Sequence, residues 1–275
     1  MAARLSSGDG GQLFANRSDW VVGVYYLGDR EHLQRRYTYL ENDFTSDYDT
    51  DTYALFGQLD TRLSERIKLV TGLRLERRYT DYSDNNKVQS DPDKGLWGGR
   101  IALEYHLADT GMVYASVSRG YRANGVNAGI LASMETTDDP DIIADLESLQ
   151  QFDEEYLINY ETGFKGKLLA GRLQTRLALF YMDRKDQQVK GSLVIPRPDG
   201  STAFLDYTSN AAQGNNYGAE LELNWLATGQ LMLFANLGLL QTEYENYTDT
   251  QGNDLSGRDQ AQAPHYQYAV GGHYD

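Results

Sequence analysis

Five polar residues that follow one amphipathic segment could bind an anion. They are Arg119, Tyr121, Arg122, Asn124 and Asn127. Guanidinium and amide groups donate hydrogen bonds to carboxylates, phosphates and similar anions. The alternative is that both arginines pair with acidic neighbours, while Gly120 and Gly125 shape the bend of the chain. The sequence leaves both interpretations open.

A second group of candidate ligand-binding residues is aromatic. The segment RRYTYLENDFTSDYDTDTY, Arg35 to Tyr53, interleaves aromatic with acidic side chains. Its aromatic rings could stack on an aromatic ligand, and those predicted to do so are Tyr37, Tyr39, Phe44 and Tyr48. The alternative is a solvated loop that only extends a hairpin.

The same segment raises the question of a metal. Asp47, Asp49 and Asp51 have the alternate spacing of a calcium loop. The glycine and the distal glutamate of an EF-hand are missing, however. We therefore predict no metal site and keep these three residues as calcium candidates.

Recognisable catalytic motifs are missing from the sequence. It contains no GxSxG nucleophile elbow, no HExxH zinc motif and no Walker loop. The histidines at positions 32, 106, 265 and 273 lack ligand spacing. We predict a binding protein without a cofactor, and not an enzyme.

The elements that position these residues are predicted to be β-strands. In RIKLVTGLRLERRY, Arg66 to Tyr79, leucines fall on one side of an extended chain and most charged residues fall on the other. Similar alternation predicts about ten or eleven strands, most of them near the roughly 9–11 residues that cross a bilayer at a tilt. They are 2–7, 19–27, 52–63, 66–79, 96–107, 112–119, 155–167, 172–182, 217–225, 230–241 and 265–274.

The predicted connections alternate strictly between short and long. Tight turns fall at 64–65, 108–111, 168–171 and 226–229, and long polar segments fall at 28–51, 81–95, 120–154, 183–216 and 242–264. A short helix is expected around 142–151. Antiparallel strands place successive connections at opposite ends, so one end carries only turns and the other carries only long loops. This asymmetry is typical of an outer-membrane barrel, with short periplasmic turns and long extracellular loops.

The loop asymmetry also decides which face looks outward. In a barrel the leucine face meets lipid and the charged face lines a wet lumen, whereas a soluble sandwich would bury the leucines. The barrel fits better, and Trp20, Trp97 and Trp225 lie near strand ends, where aromatic girdles sit. The residues predicted to line the lumen are Arg74, Arg100, Glu104, Glu161, Lys165, Glu220 and Glu222.

Composition excludes several other classes. A formal net charge of −15 argues against nucleic acid as a partner, because such binders need clustered lysine and arginine. The chain has no cysteine, which excludes disulfides and a cysteine nucleophile. No apolar run approaches the roughly 18 residues of a membrane-spanning helix, and the start MAARLSSGDGG lacks the apolar core of a signal peptide.

Particular segments resemble those of TonB-dependent outer-membrane receptors. MVYASVSRGYRANGVN, Met112 to Asn127, is similar to a strand and loop of that family. Further similar segments follow the family's order: WVVGVYY, YALFGQLDTRL, INYETGFKGKL, LALFYMDRKDQQV, YGAELELNW and LFANLGLLQTEY. Each motif is unspecific alone, but seven in order over nearly the whole chain are specific.

The resemblance implies a transmembrane barrel of about 22 strands closed by an N-terminal plug. Residues 1–275 are expected to be the middle part of that barrel, without plug domain, signal peptide or C-terminal closing strands. The implied function is binding and TonB-powered import of a scarce ligand, typically a ferric siderophore, across the outer membrane of a Gram-negative bacterium. The implied partners are outer-membrane lipid, the TonB complex and that ligand. The alternatives are a general diffusion porin and a soluble or surface β adhesion protein.

Overall fold

The structure is a computed structural model that describes residues 1–36, 43–108, 110–131, 133, 140–196, 202–249 and 252–275. Strands make up most of it. Their bounds are β1 Ala2–Ser6, β2 Ser18–Arg35, β3 Phe44–Arg62, β4 Ile67–Asp84, β5 Gln89–Ser90, β6 Asp93–Leu107, β7 Gly111–Arg122, β8 Gly125–Val126, β9 Gln151–Phe152, β10 Glu155–Leu168, β11 Leu173–Pro196, β12 Thr202–Leu226, β13 Leu231–Tyr247 and β14 Tyr266–Tyr274. Helices α1 (Ala128–Leu131) and α2 (Pro140–Ser148) lie between β8 and β9.

One antiparallel sheet contains nearly all of the strands. Its order is β1-β2-β3-β4-β6-β7-β10-β11-β12-β13-β14, with β5 paired to β4 beside this path. β8 and β9 form a separate pair. In the part of the chain that the structure describes, β1 and β14 are the two edges of an open sheet. The architecture confirms the predicted all-β, antiparallel barrel segment.

The connections confirm the predicted asymmetry between the two ends of the sheet. Short turns join β3 to β4, β6 to β7, β10 to β11 and β12 to β13, and the longer connection at this end, residues 7–17 between β1 and β2, departs from the predicted pattern. We call this the turn end. The opposite, loop end carries the connections that follow β2, β4, β7, β11 and β13.

The strands at the loop end are longer than the alternation predicted. β2 continues to Arg35 and β3 begins at Phe44. β11 and β12 remain paired out to Pro196 and Thr202. The predicted loops 28–51 and 183–216 are therefore largely hairpin extensions, and the prediction was wrong there. It stopped where apolar alternation stopped, but a strand outside the membrane needs its ladder hydrogen bonds and no apolar face.

Alternation along the strands produces two faces of opposite exposure. On β6, Ile101 is 62% exposed and the adjacent Ala102 is 1% exposed; on β4, Leu73 is 51% exposed and Val70 is 6% exposed. We call the side of Ile101 and Leu73 the apolar face and the opposite side the polar face. A curved sheet shields its concave side, so the polar face is concave. A soluble sandwich would bury the leucines instead.

Two rows of aromatic side chains border the apolar face. The loop-end row contains Tyr26, Tyr53, Tyr79, Trp97, Tyr160, Tyr181 and Tyr217. The turn-end row contains Trp20, Tyr105 and Trp225. On β6 and on β12 the two rows stand eight residues apart, which is about 26 Å along a strand at roughly 3.3 Å per residue. At the roughly 35–45° strand tilt of outer-membrane barrels the two rows would stand roughly 18–21 Å apart along the membrane normal, somewhat less than the roughly 25 Å apolar band of such barrels.

The described parts of the long connection between β7 and β10, residues 123–131, 133 and 140–154, fold back onto the loop end of the sheet, and we call them the strap. Ile130 and Leu146 pack with Ile195 of β11 and Tyr207 of β12. Leu131 instead packs with Tyr82 of β4. Because adjacent residues of α1 pack with β4 and with β12, the strap spans the four intervening strands on the concave side. The predicted helix at 142–151 corresponds to α2.

Within the described ranges, no helix is long and apolar enough to cross a membrane.

Candidate functional site

The polar face carries all seven residues predicted to line a lumen. Some of them lie an even number of residues from Val70 on β4 or from Ala102 on β6, which places their side chains on the same face. The others are connected to that face through directly paired residues of neighbouring strands. Some of their charges are paired across strands: Lys68 Nζ lies 3.1 Å from Asp60 Oδ2 and 3.3 Å from Glu104 Oε2. Arg176 Nη1 lies 2.9 Å from Glu222 Oε2. The concave wall is thus an array of cross-strand ion pairs.

Other charges on this wall have no ionic partner. Arg100 and Glu220 make no ion pair with any residue that the structure describes. Lys165 Nζ lies 4.9 Å from the ring centroid of Tyr114, whose hydroxyl donates to Glu161 at 2.6 Å. Near the turn end the wall contains a depression of about 460 Å³ lined by His106, Lys165, Lys167, Gln174 and Arg176, among others. Another domain packed against the wall would find these groups available for polar contacts.

A polar triad of Arg74, Glu76 and Tyr121 lies on the same wall, nearer to the loop end. Arg74 Nε donates to the Tyr121 hydroxyl at 3.1 Å, and that hydroxyl donates to Glu76 Oε2 at 3.0 Å. Arg74 also pairs directly with Glu76. Gly98 makes this possible, because a Cβ there would lie 3.1 Å from the Tyr121 ring.

The mouth of the concave face contains a buried polar cluster under the strap. Glu155 accepts hydrogen bonds from Arg184 Nε at 2.9 Å and from the backbone N–H of Gln188 at 3.0 Å. Arg184 Nη1 donates to Gln260 Oε1 at 3.0 Å. A register shift between Arg184 and Gln188 in β11 turns these groups toward one another. Each buried charge therefore has a charged or amide partner, as burial requires.

Asn124 and Asn127 lie beside this cluster but differ in their bonding. Asn127 Nδ2 donates to the carbonyls of Leu149 and Thr208 at 2.7 and 2.8 Å, so it fastens the strap to β12. Asn124 is 3% exposed, and neither atom of its amide has a hydrogen-bond partner among the described residues. Gln188 Nε2 binds the carbonyl of the preceding Ala123 at 2.8 Å. Asn124 is thus a buried polar group without a hydrogen-bond partner among the described residues, which calls for an explanation.

The structure does not bring all of the predicted ligand residues together. Arg119 lies on the apolar face, against the rings of Trp97 and Tyr156. Arg122 is exposed at the end of β7. Tyr121 and Asn124 lie on the concave side. The predicted anion-binding residues are therefore divided between the two faces of the sheet.

The predicted aromatic residues also separate. Phe44 is buried, and Tyr48 packs against the cluster of Tyr82 and Leu131. The Tyr48 ring therefore contributes to the region that anchors the strap. Tyr37 and Tyr39 lie outside the described residues, and ligand stacking by the four rings stays a prediction.

The three aspartates considered for calcium lie against basic side chains. Arg30 binds Asp49 at 3.2 Å and Asp51 at 2.6 Å, and His32 Nδ1 lies 2.8 Å from Asp47. The Arg30 hydrogen bond holds the pKa of the Asp51 carboxyl below its usual range. No group of three or more histidine, aspartate or glutamate residues within the described ranges could hold a metal ion.

Sequence patterns missed the buried cluster at the mouth. Glu155, Arg184, Gln188 and Gln260 come from three distant parts of the chain, and Arg184 and Gln260 stand 76 residues apart. Local spacing carries no information about such a contact. Gln187 and Gln188, which are adjacent in β11, also gave no sequence signal of a buried site, because their burial depends on the strap.

Comparison with known proteins supports this architecture. The family model for the β-barrel of TonB-dependent receptor-like proteins matches residues 3–275. Among solved structures, the chain is similar to the ferric yersiniabactin uptake receptor FyuA from Yersinia pestis (TM-score 0.69, 21% identity, 98% of this chain and 38% of that one). It is also similar to the ferric citrate transporter FecA in its unliganded form (0.66, 14%, 99% and 39%) and to the copper transporter OprC (0.59, 16%, 94% and 42%).

These structural similarities establish the fold, and the chain spans about two fifths of the length of each of the three proteins. The family itself follows from the model match over nearly the whole chain. The apolar face with its aromatic rows and the charged concave wall agree with that match. The chain belongs to the TonB-dependent receptor-like β-barrel family.

Proposed function

We propose that residues 1–275 are the middle section of the barrel of an outer-membrane TonB-dependent receptor. In that receptor, a plug domain and further strands would complete the barrel. The observation that carries the proposal is the exposed apolar face between two aromatic rows, together with the family match. Two open sheet edges in lipid would leave unpaired backbone groups at several kcal/mol each, which supports further strands beside β1 and β14.

The proposed activity is binding of a scarce ligand followed by import powered through TonB, without chemistry on the ligand. Two of the three similar structures are named as a ferric yersiniabactin receptor and a ferric citrate transporter. A ferric siderophore or similar anionic iron chelate is therefore the proposed ligand. The copper transporter has the same fold, so the ligand is a matter for direct measurement.

Asn124 is the proposed ligand contact with the best structural support. Its buried amide lacks a partner among the described residues, and a ligand oxygen or hydroxyl would satisfy it. Tyr121 and the Arg184–Glu155 pair provide polar surroundings. A ligand that hydrogen-bonds to the Asn124 amide would remove the cost of leaving this buried polar group unsatisfied, which is roughly 1–3 kcal/mol.

Uptake of radiolabelled ferric siderophores by cells carrying the complete receptor tests this proposal. We expect uptake that requires both the receptor gene and TonB, and a lower apparent affinity in Asn124→Ala. Asn246→Ala, at an exposed position of β13, is the matched control and should leave uptake unchanged. Equal uptake with and without the receptor for every iron chelate and for copper would contradict the import function.

The lumen residues are proposed to hold the plug by polar contacts. Arg100 and Glu220 are the best candidates, because neither has an ionic partner in the described structure. Reversing both charges, Arg100→Glu with Glu220→Lys, should loosen the plug and raise the passive permeability of cells to large antibiotics. The control Glu65→Lys with Arg66→Glu reverses the same charges in the exposed β3–β4 turn. Equal permeability of both double variants and the wild type would contradict a plug-holding role.

A further inference from the structure

Arg119 has an unusual environment on the apolar face. Its guanidinium carbon lies 4.2 Å from the ring centroid of Trp97 and 4.6 Å from that of Tyr156. It also donates a hydrogen bond to the backbone carbonyl of Trp97. Trp97 belongs to the loop-end aromatic row and is about half exposed. The guanidinium is thus fixed between two rings at the border of the proposed lipid-facing band.

Three other cations stand at the same border on the apolar face, and each has a carboxylate partner. Arg30 binds Asp49 and Asp51, Arg77 binds Asp93, and Lys185 lies 3.0 Å from Asp183. Arg119 makes no ion pair with any described residue. In a chain with a net charge of −15, this leaves one uncompensated positive charge in the row.

The chemistry of that charge favours a phosphate. A guanidinium stacked on aromatic rings keeps its N–H groups at its edge, and it can bind a phosphate through two parallel hydrogen bonds. Stacking also restricts the side chain before any ligand arrives, which reduces the entropy lost on binding. Aromatic rows of membrane proteins lie at the level of the lipid headgroups. A headgroup phosphate is the anion available at this level.

We propose that Arg119, fixed by Trp97 and Tyr156, binds the phosphate of an outer-leaflet lipid headgroup on the outside of the barrel. The inference rests on the proposed function, because it requires this face to lie in a membrane. It assigns Arg119 to lipid and removes it from the ligand site in the mouth. The bound lipid would occupy the outer surface of β6, β7 and β10.

Lipid retention by the complete receptor tests the proposal. The receptor is purified in mild detergent, titrated with phosphorylated lipid A and analysed by native mass spectrometry. We expect Arg119→Gln to weaken binding roughly tenfold, the loss expected for one charge-assisted contact. Arg122→Gln, which removes an exposed charge three residues away, should bind as the wild type does. Dephosphorylated lipid A should bind the wild type no better than the Arg119→Gln variant.

Several outcomes would overturn the inference. They are equal lipid binding by Arg119→Gln and the wild type, an equal loss in Arg122→Gln, and displacement of the lipid by millimolar inorganic phosphate. The last result would show a site for free anions. Heat-modifiable gel mobility reports barrel formation separately. A barrel that folds without the expected discrimination contradicts only the lipid site, whereas a receptor that never forms a barrel contradicts the proposed function as well.

Discussion

The band between the two aromatic rows and the hairpin extensions beyond the loop-end row belong to one continuous sheet, yet they are stabilised differently. In the band, apolar side chains such as Ile101 are exposed and small or polar ones such as Ala102 are covered. Beyond the row, apolar side chains such as Tyr82 and Tyr207 are buried against the strap. One antiparallel sheet is therefore suited to an apolar environment around the band and to a polar environment around the extensions.

The difference shows that hydrophobic alternation alone does not locate the core of this protein. In the band it marks the surface that lipid would cover. Beyond the band it ends, and burial is provided by a connection that returns to distant strands. We therefore expect a charge at an exposed apolar position to be destabilising in the band and tolerated in the extensions. In the extensions, loss of a buried apolar side chain should be the destabilising change.

The largest effect is expected when a charge is placed in the middle of the apolar band. Ile101 lies midway between Trp97 and Tyr105, so Ile101→Arg should destabilise the membrane-inserted barrel by about 2–4 kcal/mol. Val194→Arg is the matched control, because Val194 is about as exposed but lies on the β11 extension. Denaturant titration in lipid bilayers measures both. Equal destabilisation by the two variants would remove the distinction between the regions.

A somewhat smaller effect is expected when the strap loses a buried leucine. Leu146 is fully buried against Ile130, Ile195 and Tyr207, so Leu146→Ala should weaken docking of the strap by about 2–3 kcal/mol. Hydrogen exchange should speed up in residues 140–152 and stay unchanged in β6. Leu33→Ala, at a partly exposed position of the β2 extension, is the control. Unchanged exchange in the strap would contradict this account of its anchoring.

The smallest effect is expected from acid in the β2–β3 extension. Arg30 and Tyr26 hydrogen bonds lower the pKa of Asp51 in the folded state, so its carboxylate stabilises the hairpin above the unfolded pKa of about 4. This contribution is lost as the pH falls through the lowered folded value. The protection factors of amides in the extension, which are corrected for the pH dependence of intrinsic exchange, should fall below about pH 4 in the wild type. Asp51→Asn should exchange faster at neutral pH and respond less to acid; an identical acid response would contradict this role.

The predictability of the structure follows the same division. The strands of the band, their two faces and the short turns were predicted, because period-two alternation is local and lipid selects it. The extensions to Arg35 and Thr202 were missed, because their pairing depends on backbone hydrogen bonds rather than apolar residues. The mouth cluster was missed, because the contact between Arg184 and Gln260 joins distant segments. Arg119 was grouped with Asn124 in one predicted anion site because the two are close in the chain, but strand parity places Arg119 on the opposite face.

The orientation of the two faces can be measured most directly with adjacent single cysteines, since the chain has none of its own. Arg100→Cys and Ile101→Cys would each be labelled with a small fluorophore in the complete receptor, with any cysteine elsewhere replaced by serine, and the receptor would be inserted into bilayers that contain brominated lipid. The account predicts strong quenching at position 101 and little at position 100, where a water-soluble quencher should act instead. Quenching by lipid at position 100 and by the water-soluble reagent at position 101 would contradict the assignment of the faces.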